Sequence, residues 1–307
     1  MITNKASTYS AILCAHNSQA TIRDALMSII EQSLKSNEVI VVDDYSTDQT
    51  YSILKQIALK HSDILIIKNN SNLGQAESRN IAAACATGDV LIFFDDDDVS
   101  FKDRAETHLK LHNLGSDLSF VSSQKTYKNG YVVDCINQDL TEVRLEPSVW
   151  VEKLTLGLGP EMLSNLWIPA CTSSITKVAF RALGGYDKSF RRLEDVDLFI
   201  RAAAAKMTSS WSSDVLVDRV ATFSETKGGI LETRHEKLLL LKHSKYLPKK
   251  AYLSGLRLIQ IREAYFTKRY FRMAILICKN PLSGVVSQKR LFRFFSRLVH
   301  DVKKGKS

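Results

Sequence analysis

The segment Gly88-Asp-Val-Leu-Ile-Phe-Phe94 runs straight into Asp95-Asp96-Asp97-Asp98, and few folds accommodate that junction. A short apolar run bounded by glycine reads as a strand buried on both faces, the kind found inside parallel sheets. Four adjacent carboxylates at its end repel one another and desolvate poorly unless positive charge sits among them. The carboxyl edge of an open α/β sheet is where ligands bind, and hard divalent cations take oxygen ligands and bridge to phosphates. The run therefore reads as a metal–nucleotide site or as a solvated acidic loop capping a helix that begins near Ser100.

The flanking pattern favours an α/β sheet. Strands are expected at Ser10–Ala15, Glu38–Asp43 and Ile64–Lys68, and helices over Ala20–Glu31, from Ser46-Thr47-Asp48 to about His61, and over Gly74–Ala86. This βαβα order specifies a mainly parallel sheet with helices on both faces. The first turn, Cys14-Ala-His-Asn17, lacks the GxGxxG of a dinucleotide-binding domain. Further on, Lys128-Asn-Gly-Tyr131 marks a hairpin. A helix is expected over Pro147–Leu156, a strand near Ala170–Thr176, a short helix over Val178–Leu183, a longer one over Glu194–Ala205, and a last strand over Asp214–Phe223. Beyond Gly228-Gly229 the pattern becomes helical, broken at Pro248 and Pro281.

The chain has 307 residues, long enough for a sizeable core. Its five cysteines are widely spaced with no CxxC pair, and read as buried thiols of a reducing compartment. Neither a signal peptide nor 18 consecutive apolar residues is found, so the expected location is cytoplasmic. The net charge of +9 is unevenly spread: Lys227 onward holds 20 Lys/Arg against 4 Asp/Glu, and the rest 22 against 29. A basic tail on an acidic body meets an anionic surface of lipid, nucleic acid or acidic polymer. Lys289, Arg290, Arg293 and Arg297 alternate with Leu291, Phe292, Phe294, Phe295 and Leu298. That segment reads as a basic amphipathic helix, lying in a membrane surface or packed on the body.

Ser10-Ala-Ile-Leu-Cys-Ala-His-Asn17 and Val39-Ile-Val-Val-Asp-Asp-Tyr-Ser-Thr-Asp48 resemble the opening of a family 2 glycosyltransferase with the GT-A fold. Asn72-Leu-Gly-Gln-Ala-Glu-Ser-Arg-Asn80, Phe94-Asp-Asp-Asp-Asp98, Gly184-Gly-Tyr-Asp187 and Glu194-Asp-Val-Asp-Leu-Phe-Ile-Arg201 continue the match in order, over roughly residues 8 to 225. The resemblance implies a GT-A domain over 1–225 with a basic helical extension over 226–307. It further implies transfer of one sugar from a nucleotide-sugar donor, usually UDP-linked, to an acceptor hydroxyl with inversion, aided by Mn2+ or Mg2+. Lipid-linked sugars are common acceptors of its bacterial members. That gives peripheral contact with the inner face of the membrane a rationale in cell-surface polysaccharide or glycolipid assembly.

By the same resemblance, Cys14, His16, Asp44, Arg79, Asp95 and Asp96 lie at the donor. Asp44 contacts the base, with Asp43 as the other candidate; the competing reading is a helix cap, which Ser46, Thr47 and Asp48 already supply. Arg79 sits beside nucleotide and acids, or else pairs with Glu77 on the surface. Asp97 is the expected metal ligand with Asp95 assisting, though four contiguous Asp permit a one-residue slip. Asp195 is the expected catalytic base, its pKa raised by burial and neighbouring acids. Glu194 and Asp197 serve acceptor contacts or helix capping. Two departures stand out: Val220–Ile230 holds no His where many relatives carry one, leaving Lys227 and the glycines as phosphate contacts, and no Gln-x-x-Arg-Trp element supports a processive synthase. His235 and His243 read as surface or packing residues. The rival readings are a nucleic-acid-binding protein acting through its basic tail, which lacks a recognition motif, and a sugar nucleotidyltransferase, which lacks the Gly-rich, basic opening loop.

Overall fold

The computed structural model describes residues 8–127, 130–134, 140–144, 146–148, 169–220, 230–269 and 273. Two compact units emerge: Met1–Glu146 with Asn165–Phe223, and Pro147–Ser164 with Ser224–Ser307.

The first unit is built on one sheet. Its elements are β1 (Tyr9–Ala15), α1 (Ile22–Ile30), β2 (Glu38–Asp43), α2 (Thr50–Ala58), β3 (Ile64–Lys68), α3 (Gln75–Cys85), β4 (Val90–Asp95), β5 (Asp98–Ser100), α4 (Arg104–His112), β6 (Leu118–Tyr127), β7 (Gly130–Asp134), β8 (Leu140–Val143), β9 (Ser173–Thr176), α5 (Lys177–Ala182), α6 (Glu194–Ala204) and β10 (Ser209–Val220). The strand order is β3-β2-β1-β4-β9-β6-β10-β5, with β7 on β6 and β8 on β10. The four strands β3, β2, β1 and β4 are parallel; β9 runs antiparallel to both β4 and β6.

Alternation within the strands explains both layers. Tyr9, Ala11, Leu13, Val39, Val41, Val90, Ile92 and Phe94 form one core with Ile22, Leu26 and Ile29 of α1, Leu54 and Ile57 of α2, and Ala105 and Leu109 of α4. Each fully buried Leu, Ile or Phe there stabilises the fold by about 1.5–3 kcal/mol relative to exposure. The alanine-rich α3 packs on β1 and β2 outside that core, bringing Arg79 against the sheet.

Most expected elements appear, with three differences. Ser100 belongs to β5, not to a helix; α4 starts at Arg104. There β5 pairs with the far strand β10, so the acidic run spans from the centre of the sheet to its edge. Strand β10 begins at Ser209, five residues before the expected start. Cys85 is exposed, unlike the buried Cys14 and Cys171, because it ends α3. Outside the described residues lie Cys135, Cys278, the Lys227 glycine loop, the segment around Lys289 to Leu298, and all of the helix expected from Pro147 except its first two positions.

The second unit contains α7 (Ile230–Lys242), a 3-10 turn at Ser244–Tyr246, and α8 (Lys249–Phe266). Pro248 stands immediately before α8, where its fixed φ suits a helix start. Leu239 and Leu240 of α7 and Ile259, Ile261 and Ala264 of α8 are buried. Arg262 pairs with Glu236, and Lys237 with Glu263 at 3.5 Å. His235 and His243 are buried packing residues. Among the described residues, no helix is long and apolar enough to cross a membrane.

Candidate active site

The parallel strands end together. Register sets Cys14 beside Asp95 and Ala15 beside Asp43, so the residues following β1, β2 and β4 share one rim.

Arg79 organises that rim. Its side chain is 2% exposed, and its guanidinium donates to Asp95 Oδ1 at 2.7 Å and to Glu194 Oε1 at 2.8 Å. The end of β4 and the start of α6 are thereby tied together by one buried cation. Charge-assisted bonds of this kind are about twice as strong as neutral ones. Arg79 thus lies among the acids of the rim, and among the described residues it makes no ion pair with Glu77. From beneath, the buried Arg104 donates to the Phe93 carbonyl at 2.6 Å and to Ser100 Oγ at 2.9 Å, bracing the turn that carries the four Asp.

The two Asp after β2 have different surroundings. Asp44 accepts the Leu73 N–H at 2.8 Å, the Gly74 N–H at 2.7 Å and the Asn69 amide at 2.8 Å, fastening the 69–74 loop. Its carbonyl accepts from His16 Nδ1 at 2.8 Å, which leaves the other ring nitrogen as an acceptor. Asp43 is fully buried, and neither carboxylate oxygen has a hydrogen-bond partner. The turn leading into α2 is closed by Asp48, whose Oδ1 accepts the N–H and hydroxyl of Thr50 at 2.9 and 2.6 Å.

Crowding marks the acidic run. Asp96 accepts the His16 N–H at 3.0 Å, yet burial, with Asp97 and Asp95 alongside, pushes its carboxyl up to about 7. Asp98 is also pushed up to about 7, by burial first and then by Asp95 and Asp97. The Cys171 thiol, itself pushed well up by burial, is hydrogen-bonded to Asp98. One ligand atom from each of Asp95, Asp98 and Cys171 lies within 4.8 Å of the others. Asp97 is outside that group; it lies half-buried between Asp96 and Asp98. The carboxylates of Asp95 and Asp98 suit a hard divalent cation, whereas the Cys171 thiol is a soft donor that burial keeps protonated. Cys171 escaped sequence reasoning because only the non-local pairing of β4 with β9 brings it near.

At the start of α6, Asp195 Oδ2 accepts the Ala170 N–H at 3.1 Å and Oδ1 the Val196 N–H at 2.8 Å. Burial and then Glu194 raise its carboxyl to about 7, despite Arg79. The preceding loop is held open in unusual backbone. Gly184 and Gly185 have φ of +76° and +73°, and Leu193, beside Glu194, has φ of +66°, which costs a non-glycine residue energy and is seen at functional sites. Asn80 clasps Tyr186 at both N–H and carbonyl, at 2.8 and 2.9 Å. Arg191 donates to Asn72 Oδ1 at 2.9 Å, joining this loop to the one Asp44 holds. Asp197 is kept apart: fully buried, it pairs with Arg201 at 2.8 Å, whose other N–H groups hold the Leu183 and Gly185 carbonyls. Glu194 gives one carboxylate oxygen to Arg79.

The family model for "Glycosyl transferase family 2" matches residues 10–133. The putative glycosyltransferase EpsE of Bacillus subtilis is 32% identical over 207 residues, covering 64% of this chain and 67% of EpsE. The UDP-Glc:alpha-D-GlcNAc-diphosphoundecaprenol beta-1,3-glucosyltransferase WfaP of Escherichia coli is 35% identical over 123 residues, 40% of this chain and 46% of WfaP. The chain thus spans between about half and two thirds of these relatives. Among solved structures, S. aureus TarS 1-349 in complex with UDP-GlcNAc superposes with TM-score 0.64 at 18% identity, covering 88% of this chain and 79% of TarS. The mannosyltransferase PcManGT of Pyrobaculum calidifontis, in complex with GDP-Man and Mn2+, gives 0.58 at 18%, covering 94% and 79%. The fold is GT-A, and the chain belongs to glycosyltransferase family 2.

Proposed function

We propose that this enzyme transfers a single sugar, with inversion, from a UDP-sugar to a hydroxyl of a lipid-linked acceptor during cell-surface polysaccharide or glycolipid assembly. The observation that carries this reading is Arg79 bridging Asp95 and Glu194, which sets the acidic rim beside Asp195. WfaP, a glucosyltransferase with a UDP-sugar donor and a diphosphoundecaprenol-linked acceptor, supports the donor and acceptor classes. The TarS complex with UDP-GlcNAc supports the donor class further.

In this mechanism the 69–74 loop, Cys14 and His16 border the nucleoside, and Asp44 takes the base N–H. Asp195 Oδ accepts the proton of the acceptor hydroxyl as its oxygen forms the new bond to the anomeric carbon. The bond from that carbon to the diphosphate oxygen breaks on the opposite face, its electron pair leaving with UDP. A base near pH 7 needs a pKa near 7, which burial beside Glu194 supplies. A divalent cation held by Asp97 and Asp95, with Asp98 adjacent, would offset the charge gathering on the departing diphosphate. Arg79 holds Asp95 in line beside Glu194. Peripheral attachment to the inner face of the membrane follows from an acceptor of this class.

A screen of nucleotide sugars for release of UDP or GDP, with Mn2+, Mg2+ or EDTA, tests the reading. Transfer is expected from a UDP-sugar, lost with EDTA and abolished in Asp97→Ala and Asp195→Ala. Full transfer by Asp195→Ala would overturn the base assignment, and undiminished transfer in EDTA the metal.

A further inference from the structure

The helical unit has a charged surface that sugar transfer does not use. From Lys237 to Arg262 the chain holds seven Lys/Arg and no Asp/Glu. Four of those cations, Lys242, Lys245, Lys249 and Lys250, lie at the end of the hairpin where α7 turns into α8. All four are exposed. Two large apolar side chains stand among them, Leu241 at 47% and Leu253 at 52% exposed. On the same two helices Leu239, Leu240, Ile259 and Ile261 are buried, in contrast to these two leucines. Lys249 and Leu253 are four apart on α8 and share a face. Tyr246 and Tyr252 are half-buried at the same end. Of the three acids of this hairpin, Glu236 and Glu263 are engaged with Arg262 and Lys237.

We propose that this end of the hairpin, centred on Lys245, Lys249, Lys250, Leu241 and Leu253, docks on an anionic lipid bilayer. Charge complementarity selects an anionic partner, and the leucines select a bilayer over a polynucleotide. A phosphate backbone rewards the lysines but gives an exposed leucine nothing to bury against, whereas a bilayer takes leucine below its headgroups and leaves lysine among them. Tyrosine, with an apolar ring and a polar tip, suits that boundary. The surface is independent of the sugar or acceptor the catalytic unit uses.

The test is co-sedimentation of the full chain with vesicles of phosphatidylcholine alone and of phosphatidylcholine mixed with phosphatidylglycerol. Each lysine near an anionic surface is worth roughly a fivefold gain in binding, so Lys245→Gln/Lys249→Gln/Lys250→Gln should bind mixed vesicles roughly 100-fold more weakly. Leu253→Trp should add a blue-shifted emission on mixed vesicles only, and donor turnover without vesicles should be unchanged in both variants. A parallel variant, Lys289→Gln/Arg290→Gln/Arg293→Gln/Arg297→Gln, separates this surface from the basic tail. If that variant alone abolishes vesicle binding while the lysine variant binds normally, the proposal fails. It fails equally if the Leu253→Trp emission does not shift on vesicles that bind the protein, or if duplex DNA binds the lysine surface while vesicles do not.

Discussion

Replacing Arg79 by Met keeps much of the side-chain volume and removes one charge from between two carboxylates. Glu194 is 7% exposed and Asp95 21%, so neither recovers full hydration when the guanidinium is lost. Breaking a buried ion pair by deleting one partner costs about 3–5 kcal/mol, because the other charge stays buried without compensation. For a unit of this size each kcal/mol moves the melting temperature by about 2–4 °C, which puts the loss at roughly 6–20 °C. Differential scanning fluorimetry and urea unfolding followed through Trp211, which is 1% exposed, both read it. Adding Glu194→Gln to Arg79→Met removes the worse-buried of the stranded charges, so the double variant should recover at least about 1.5 kcal/mol relative to additivity. Two outcomes refute the reasoning: a loss under 1 kcal/mol for Arg79→Met, or strictly additive effects in the double variant. Either would mean that solvent reaches the trio and the bridge holds little.

Five further outcomes follow. Burial raises the Asp195 carboxyl to about 7, so its basic form is lost as pH falls through that value; kcat should drop about tenfold per unit below it and level off above, and a flat profile from pH 5.5 to 8 would exclude it as base. Gly88→Ala puts a Cβ 2.6 Å from the Ser10 nitrogen and the Tyr9 carbonyl carbon, backbone that cannot rotate away, and should cost about 3 kcal/mol in urea unfolding. Gly184→Ala, with open space around it and only a φ of +76° to bear, should cost about 1 kcal/mol. Arg191→Ala cuts the link to Asn72 and should raise the donor KM by about 2- to 12-fold with kcat little changed, since these two exposed bonds together are worth about 0.5–1.5 kcal/mol. UDP should bind at least about 10-fold tighter than CDP by calorimetry, because the ring nitrogen that offers a carboxylate an N–H in uracil presents a lone pair in cytosine.

The parallel half of the sheet was readable because each of its strands is an unbroken apolar run and each helix an amphipathic one, so period and burial agree. The antiparallel half was less so. Asp98-Val-Ser100 is too short and polar to read as a strand; it becomes one only because Val217–Arg219 of β10 offers it a ladder. The early start of β10 has a similar origin, since Ser209–Ser212 is polar but pairs with Leu118–Val121 of β6. Local pattern carries no signal for a strand that exists through its partner. Cys171 joined the acidic rim by the same non-local route. Asp197, given to acceptor contacts or helix capping by resemblance, instead shows a local i,i+4 pairing with Arg201, which also clamps the Gly184–Gly185 loop.

The Asp43-Asp44 pair shows how motif and geometry combine. Resemblance put the base contact on Asp44, but the structure gives that carboxylate three donors already, all fastening the 69–74 loop. A carboxylate has about four lone-pair positions, and Oδ1 spends two of its own on Asn69 and Leu73, while Oδ2 spends one on Gly74. One position on Oδ2 is left, enough for a single ring N–H. Asp44 can therefore hold the loop and read the base at once, so the loop would be shaped before the nucleotide arrives and little ordering cost would be left to binding. Asp43 has vacant lone pairs but is fully buried and paired in register between Ala15 and Lys68. A base reaching it would have to displace packed strand, whereas Asp44, one residue past the strand, lies where the sheet ends.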